Sequence, residues 1–292
     1  MIVTRLMGGL GNQMFQHAAA RALAEKRGSN IRMDLSWFDG ANLVDAPRHY
    51  ELDRFSLKQS FVSPEQYALI TEESNSLKIK LYNLTKGRAK PRVLLYKESG
   101  HGFDQRFFDL PDNVILVGYW QSEKYFLGVR DAILADFSFK NLATGKNRSL
   151  LTEIKKVSAV SIHVRRGDYA TTKAAKEFHG LMGLDYYAEA IKQISKRVQG
   201  ISFFVFSDDP EWCKQNLKVP LPVTYIDHNK DGAEDMRLMS ACKHHIIANS
   251  TFSWWGAWLN PSSEKIVYAP RRWFANPDMD TKDILPDSWE KL

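Results

Sequence analysis

The sequence predicts an α/β chain of two domains, each with a parallel sheet, placed at residues 1–145 and 146–292. Three observations carry this. The chain opens as strand, glycine loop, helix and strand, the unit from which parallel sheets are built. In the second half, apolar runs of strand length alternate with amphipathic helical stretches. The 292 residues are enough for two ordinary domains whose cores need no disulfide staples.

Taken in order, residues 3–7 read as a buried strand, interrupted by Gly8-Gly9-Leu10-Gly11. A helix is expected over 12–27, with Met14, Phe15, Ala18, Ala22 and Leu23 at helical spacing and Gly28 as its left-handed cap. Residues 31–35 form the second strand. Residues 39–92 mix polar turns with short amphipathic pieces such as 64–70. A strand at 114–117 runs into Gly118-Tyr119-Trp120-Gln121, and a helix is expected over 122–137. The polar stretch 141–148 reads as the linker.

Beyond it, a helix to about Lys156 leads into a strand at 159–164. Asp185 is placed to cap a helix whose apolar stripe is Tyr187, Ile191, Ile194 and Val198. Strands at 202–206, 223–226, 246–248 and 265–269 follow. Helices start at Asp209-Pro210, a cap followed by an N1 proline, and span 233–242 and 252–259, the last stopped by Pro261.

The two cysteines, Cys213 and Cys242, make neither a disulfide framework nor a zinc-ligand set. No basic segment followed by an apolar one opens the chain, and no apolar run nears the roughly 18 residues of a bilayer span. The expectation is a cytoplasmic protein, peripheral at the inner membrane face at most. The net charge is +6, and part of it lies in a run with no acid from Ser74 to Lys97. That run reads as a solvated face, or as a patch facing phospholipid or a lipid-linked acceptor. No nucleic-acid-binding motif accompanies it, so no nucleic acid is expected.

In open parallel sheets, ligands bind beyond the carboxyl ends of strands. Four such ends in the second half carry polar groups: His163 through Asp168, Ser207-Asp208-Asp209, Asp227-His228 and Asn249-Ser250-Thr251. Arg165 offers a planar fork of donors to a phosphate; the alternative is that Arg165 and Arg166 pair with Asp168 in a structural turn. Ser250 and Thr251 at a helix start suit an anion, and equally a plain N-cap. Asp235 suits either the helix dipole or the N–H edge of a guanine. Trp254, Trp255 and Trp258 read as core.

In the first half, Gly9 and Gly11 match the start of G-x-G-x-x-G, but Met14 stands at its third glycine. With Asp34 as a ribose acid, this is a nicotinamide-dinucleotide alternative. Otherwise the glycines let the backbone and Asn12 approach a ligand. The trigram Asp278-Met279-Asp280 lies in a proline-punctuated tail rather than at a strand end, so no metal and no cofactor are expected.

The runs Gly8-Gly9-Leu10-Gly11-Asn12-Gln13-Met14-Phe15-Gln16, His163-Val164-Arg165-Arg166-Gly167-Asp168-Tyr169 and Ala248-Asn249-Ser250-Thr251-Phe252-Ser253-Trp254-Trp255 resemble the α-1,2-fucosyltransferase family. Gly118-Tyr119-Trp120-Gln121, Leu184-Asp185-Tyr186-Tyr187 and Phe206-Ser207-Asp208-Asp209 add to the resemblance. It implies a GT-B fold, two facing Rossmann-like domains, the second holding the donor and the first the acceptor. It further implies GDP-fucose as donor, metal independence, inversion, and transfer to the 2-OH of galactose in an oligosaccharide or lipid-linked glycan such as an O-antigen unit. By position, Arg165 would grip the diphosphate and His163 and Asp235 the nucleotide. Asn249, Ser250 and Thr251 would lie at the phosphates, and Gly9, Gly11 and Asn12 near the fucose. Asp34, Glu51, Asp53 and Glu123 are the carboxylates noted as bases. His17 departs from the tyrosine expected in many relatives. The classes left beside this one are another fucosyl linkage, the nicotinamide enzyme and a non-catalytic glycan- or nucleic-acid-binding protein.

Overall fold

The computed structural model describes residues 1–40, 48–63, 93–167, 180–276 and 278–292. The expected helix at 64–70, Asp168, Tyr169 and most of the basic run lie outside them. The chain divides into two compact units, Met1–Asp136 and Phe137–Leu292.

The first unit carries a four-stranded parallel sheet of β1 (Ile2–Arg5), β2 (Ile31–Asp34), β3 (Leu94–Lys97) and β4 (Val114–Val117), ordered β2-β1-β4-β3. Helix α1 (Leu10–Arg27) buries Met14, Phe15, Ala18, Ala22 and Leu23. Gly28 closes it at φ 58°, its N–H returned to the carbonyls of Ala24 and Glu25. The helix starts two residues before the expected Asn12, so Gly11 lies in its first turn rather than in the loop. Helix α2 (Ser36–Gly40) follows β2. The single helix expected over 122–137 is instead two 3-10 turns, Glu123–Tyr125 and Leu127–Val129, before α3 (Arg130–Asp136). Trp120 at φ 54° turns the chain just ahead of them, and the Ser122 hydroxyl accepts the Lys124 N–H.

The second unit holds six parallel strands: β5 (Ser158–Val164), β6 (Ile201–Ser207), β7 (Val223–Ile226), β8 (His244–Ile246), β9 (Val267–Ala269) and β10 (Glu290–Lys291), ordered β10-β9-β8-β5-β6-β7. Strand β6 shows why both faces are covered. Phe203 and Val205 pack with Tyr187, Ile191 and Ile194 of α5 (Leu184–Arg197) and Cys213 of α6 (Pro210–Asn216). Phe204 and Phe206 pack oppositely, with Leu150 and Ile154 of α4 (Gly145–Ile154) and Leu238 and Met239 of α7 (Gly232–Ala241). A strand buried on two faces reads as a continuous apolar run, as β6 does. Helix α8 (Thr251–Trp258) buries Trp254, Trp255 and Trp258, and the Trp254 indole donates to the Ile284 carbonyl at 2.8 Å.

Several boundaries differ from expectation. Helix α4 begins inside the expected linker, at Gly145. Gly183, not Asp185, occupies the N-cap of α5, leaving Asp185 in the first turn. Strand β8 starts and ends two residues earlier than the expected run 246–248, so it includes His244 and His245. Among the described residues, no helix is long and apolar enough to cross a membrane.

Candidate functional site

Each sheet has a switch point where the strand order reverses. In the second unit, β6 and β7 extend to one side of β5, and β8 and β9 to the other. The reversal falls between β5 and β8, where ligands of open α/β sheets bind. Arg165 immediately follows β5, and Asn249-Ser250-Thr251 lie three to five residues past β8.

Arg165 Nη1 meets Asp208 Oδ2 at 2.7 Å, just beyond the adjacent strand β6. The other Asp208 oxygen accepts the Arg166 N–H at 2.8 Å. Gly167 lies so close that a Cβ there would come within 2.6 Å of the same carboxylate. Arg166 pairs with Asp209 at 3.3 Å and covers the Trp212 ring at 3.7 Å. The two arginines thus have different surroundings: Arg166 stacks into the structure, while Asp208 orients the Arg165 fork. An arginine carries five donors, so this orientation is compatible with gripping a diphosphate.

His163 is buried, with its ring 5.5 Å from that of Phe252. Burial drives its pKa down; the Asp208 charge opposes this and the Arg165 charge assists it. The imidazole is therefore neutral near pH 7, and its buried Nδ1 has no hydrogen-bond partner among the described residues. His228, past the end of β7, has a second orphaned Nδ1. Buried polar atoms without partners are costly, and a polar ligand would satisfy them.

Ser250 sits at the N-cap of α8, yet its side chain makes no capping bond. The plain-cap alternative for Ser250 is thus corrected: the hydroxyl does not serve the helix start. Asn249 differs. Its buried amide donates to the Trp273 carbonyl at 3.1 Å and the Gly180 carbonyl at 3.4 Å, tying together neighbouring segments.

Asp235 lies in the first turn of α7, whose cap is Asp231. Burial raises its pKa to about 6, aided by Asp231 and Glu234 and opposed by a 2.8 Å hydrogen bond from Asn229. Asn147 donates to Asn229 at 2.8 Å and receives a 2.8 Å contact from His228 Nε2. Asn147 and Asn229, which sequence reasoning missed, join the strand-end His228 and Asp235 in a polar cluster. Asn147 stood in the expected linker, and only the β7–α7 loop brings the others to Asp235. Asp227-His228 at a strand end was the available signal.

In the first unit the switch point falls between β1 and β4. Gly8, at φ 74°, leaves no room for a side chain: a Cβ would come within 2.6 Å of Asn12 Nδ2. Asn12 Oδ1 accepts from Gln121 Nε2 at 3.0 Å, so this bond bridges the two strand ends. Gly9 is the N-cap of α1, and a Cβ there would stand 3.4 Å from the Arg48 guanidinium. The buried Gln13 binds the Gly8 and His49 carbonyls and the Glu51 N–H, so it fixes the loop. Asp34, the ribose acid of the dinucleotide alternative, is buried against Arg5 at 2.9 Å and accepts the Ser36 N–H. That removes the acid the alternative requires. Glu98, just past β3, accepts the Tyr119 and Trp120 N–H groups and was also missed.

Among the described residues, no three His, Cys, Asp or Glu side chains are grouped to hold a metal ion. Asp280 of the tail trigram pairs with Lys282 at 3.1 Å.

Residues 96–292 match the sequence profile of Glycosyl transferase family 11. The chain belongs to that family. This family 11 glycosyltransferase is 33% identical to an alpha-1,2-colitosyltransferase of Escherichia coli, over 100% of this chain and 99% of that protein. It is 36% identical to the Escherichia coli O-antigen biosynthesis glycosyltransferase WbnK, over 98% and 99%. Galactoside alpha-(1,2)-fucosyltransferase 1 of Lagothrix lagotricha is 24% identical over 86% of this chain and 63% of its own length. A solved structure of an Arabidopsis thaliana FUT1 mutant with GDP shares the fold at a TM-score of 0.51 and 14% identity, over 92% of this chain and 70% of that one. The family 11 chain is thus a parallel α/β protein of the GT-B-like class.

Proposed function

We propose that this glycosyltransferase moves L-fucose from GDP-fucose to the 2-OH of a galactose-containing glycan, with inversion at the anomeric carbon and without a metal. The observation that carries the reading is the switch-point cluster of the second unit. Arg165 is oriented by Asp208 beside an uncapped helix start whose Ser250 hydroxyl is not used by the helix. Departure of GDP builds negative charge on the diphosphate. Arg165, the Ser250 and Thr251 hydroxyls and the N-terminus of α8 would receive it as preorganised donors. Asp235 would accept the N–H edge of guanine, and the orphaned nitrogen of His163 would meet the nucleotide. Gly9 and Asn12 belong to the sugar side of the reaction, Gly11 to the helix start that presents Asn12.

The fucosyl reading rests on the family's motifs and on the fucosyltransferase relative. The colitosyltransferase relative, matched along the whole chain, favours a second reading in which colitose is the transferred sugar. The galactose acceptor follows the galactoside fucosyltransferase relative, and an O-antigen setting follows the O-antigen relative. The test is transfer to a galactose-terminated acceptor, with product linkage read by NMR, from GDP-fucose and the colitose donor in parallel with excess EDTA. Fucose transfer is expected, with EDTA harmless. Arg165→Ala should lose at least about a hundredfold in rate, the scale of one strong oxyanion donor. Transfer of colitose alone would select the second reading, and an EDTA-dependent loss restored by Mn²⁺ would overturn the arginine mechanism.

A further inference from the structure

We propose that Glu98 is the general base that takes the proton from the acceptor hydroxyl, an assignment that rests on the transferase reading above. Glu98 immediately follows β3 on the same sheet edge as Gly118-Tyr119-Trp120-Gln121 after β4 and Gly8 through Asn12 after β1. Three neighbouring strand ends therefore bring Glu98, Gln121 and Asn12 to one edge of the first unit.

The carboxylate is held firmly. One oxygen accepts the Tyr119 N–H at 2.6 Å and the other the Trp120 N–H at 3.0 Å. Glu98 N–H donates to the Val117 carbonyl at 2.9 Å. Gly118 has no side chain because a Cβ would come within 2.8 Å of Glu98 Oε2. Trp120 takes φ 54°, a costly angle for a bulky residue. It is kept there by the bond to Glu98 and by a ring buried against Phe107 and Tyr125. Each carboxylate oxygen has a second lone pair, and Glu98 is only half-buried, so a substrate hydroxyl can reach it.

Burial raises the Glu98 pKa to about 7 against those two backbone bonds. Among the described residues, Tyr119 and Tyr125 both feel its charge, Tyr125 also feels Tyr96 and Asp104, and Arg106 acts on Tyr96. Asp104 is itself paired with Arg106 and Tyr96. A base with a pKa near the working pH is the efficient kind. Two of the four carboxylates noted from sequence are committed elsewhere: Asp34 is buried against Arg5, and Asp53 is paired with Arg54 at 2.8 Å. In the step, the acceptor oxygen bonds the anomeric carbon and its proton passes to Glu98. The bond from that carbon to the diphosphate breaks, and the electron pair leaves with GDP. The proton then returns to water.

The test is the pH profile of kcat for wild type, Glu98→Gln and Glu98→Asp, with GDP affinity and thermal midpoint measured beside it. The wild type should show an acid limb near pH 7. Glu98→Gln should lose about a hundredfold or more at the plateau and lose the limb, with GDP affinity unchanged. Glu98→Asp should keep a limb, displaced from that of the wild type. A limb that persists in Glu98→Gln overturns the assignment, as does an unmoved limb with unchanged kcat in Glu98→Asp, which decides the matter if the Gln variant does not fold. No transfer by the wild type overturns the transferase reading and this assignment together; an active wild type with an unaltered limb in Glu98→Gln overturns Glu98 alone.

Discussion

Asp235 is a carboxylate whose ionised form folding disfavours. Its pKa rises from 3.8 to about 6 on folding, so the folded chain holds the proton more tightly than the unfolded one. The corresponding stability is fully present below about pH 3.8 and is lost as pH rises through about 6. Above that, the native state carries an unfavourable buried charge. Asp235→Asn keeps the acceptor for Asn229 and removes the charge. It should stabilise the protein at pH 7.5 by about 1–2 kcal/mol, discounted for partial exposure, while weakening GDP binding at least tenfold, because an NH2 donor replaces the second acceptor oxygen and faces the guanine N–H edge. Thermal melts and calorimetry on the one variant check both. A variant that gains stability and keeps its GDP affinity would leave Asp235 with no ligand role. A gain in stability accompanied by lost binding is the usual signature of a functional residue.

At the level of elements, two helix starts in the second unit are opposites. Asp231 caps α7 through the Ala233 N–H at 3.0 Å, whereas Ser250 heads α8 with no capping bond. Asp231→Ala should therefore cost about 1 kcal/mol of stability, and Ser250→Ala a few tenths or less, while only Ser250→Ala weakens GDP binding markedly. Denaturant melts paired with GDP titration separate the two roles; equal stability losses would return Ser250 to plain capping. The same contrast shows what was legible beforehand. Asp209-Pro210 gave its helix start away, because an acceptor side chain and a fixed φ coincide there, and Asp209 does accept the Trp212 N–H. Asp185 did not, because Gly183 carries the extended backbone into α5 and leaves the carboxylate inside its first turn. Strand β3 escaped detection because Leu94 and Leu95 are exposed on an edge, which removes the alternation that marks a half-buried strand. Two-residue β10 has no pattern to read. The site followed the same logic: groups lying on one short motif, such as His163 and Arg165, were visible. Asp208 as partner of Arg165, the Asn147–His228–Asn229 cluster and Glu98 depend on which strands become neighbours, and sequence spacing does not carry that.

At the scale of the whole molecule, the residues of the proposed site fall into both units. Arg165, His163, Asp235 and Ser250 all belong to Phe137–Leu292, and Asn12, Gln121 and Glu98 to Met1–Asp136. If the donor nucleotide is held by the second unit alone, a substitution in the first should leave GDP affinity intact and still lower turnover. Asn12→Ala tests this with little risk to the fold. Its carbonyl oxygen accepts from Gln121 at 3.0 Å, and it is only half-buried on the first turn of α1. Alanine is the best helix former, so the change should hold stability within about 1 kcal/mol, the net worth of one hydrogen bond. Calorimetric GDP binding should match the wild type within a factor of about two, while transfer falls about tenfold or more, the effect of an interaction worth about 1.4 kcal/mol made only as the sugar moves. A large loss of GDP affinity with normal turnover of bound donor would instead put Asn12 in the nucleotide pocket. The division of labour between the units would then be wrong, and the glycine loop, rather than the β5–β8 switch point, would hold the diphosphate.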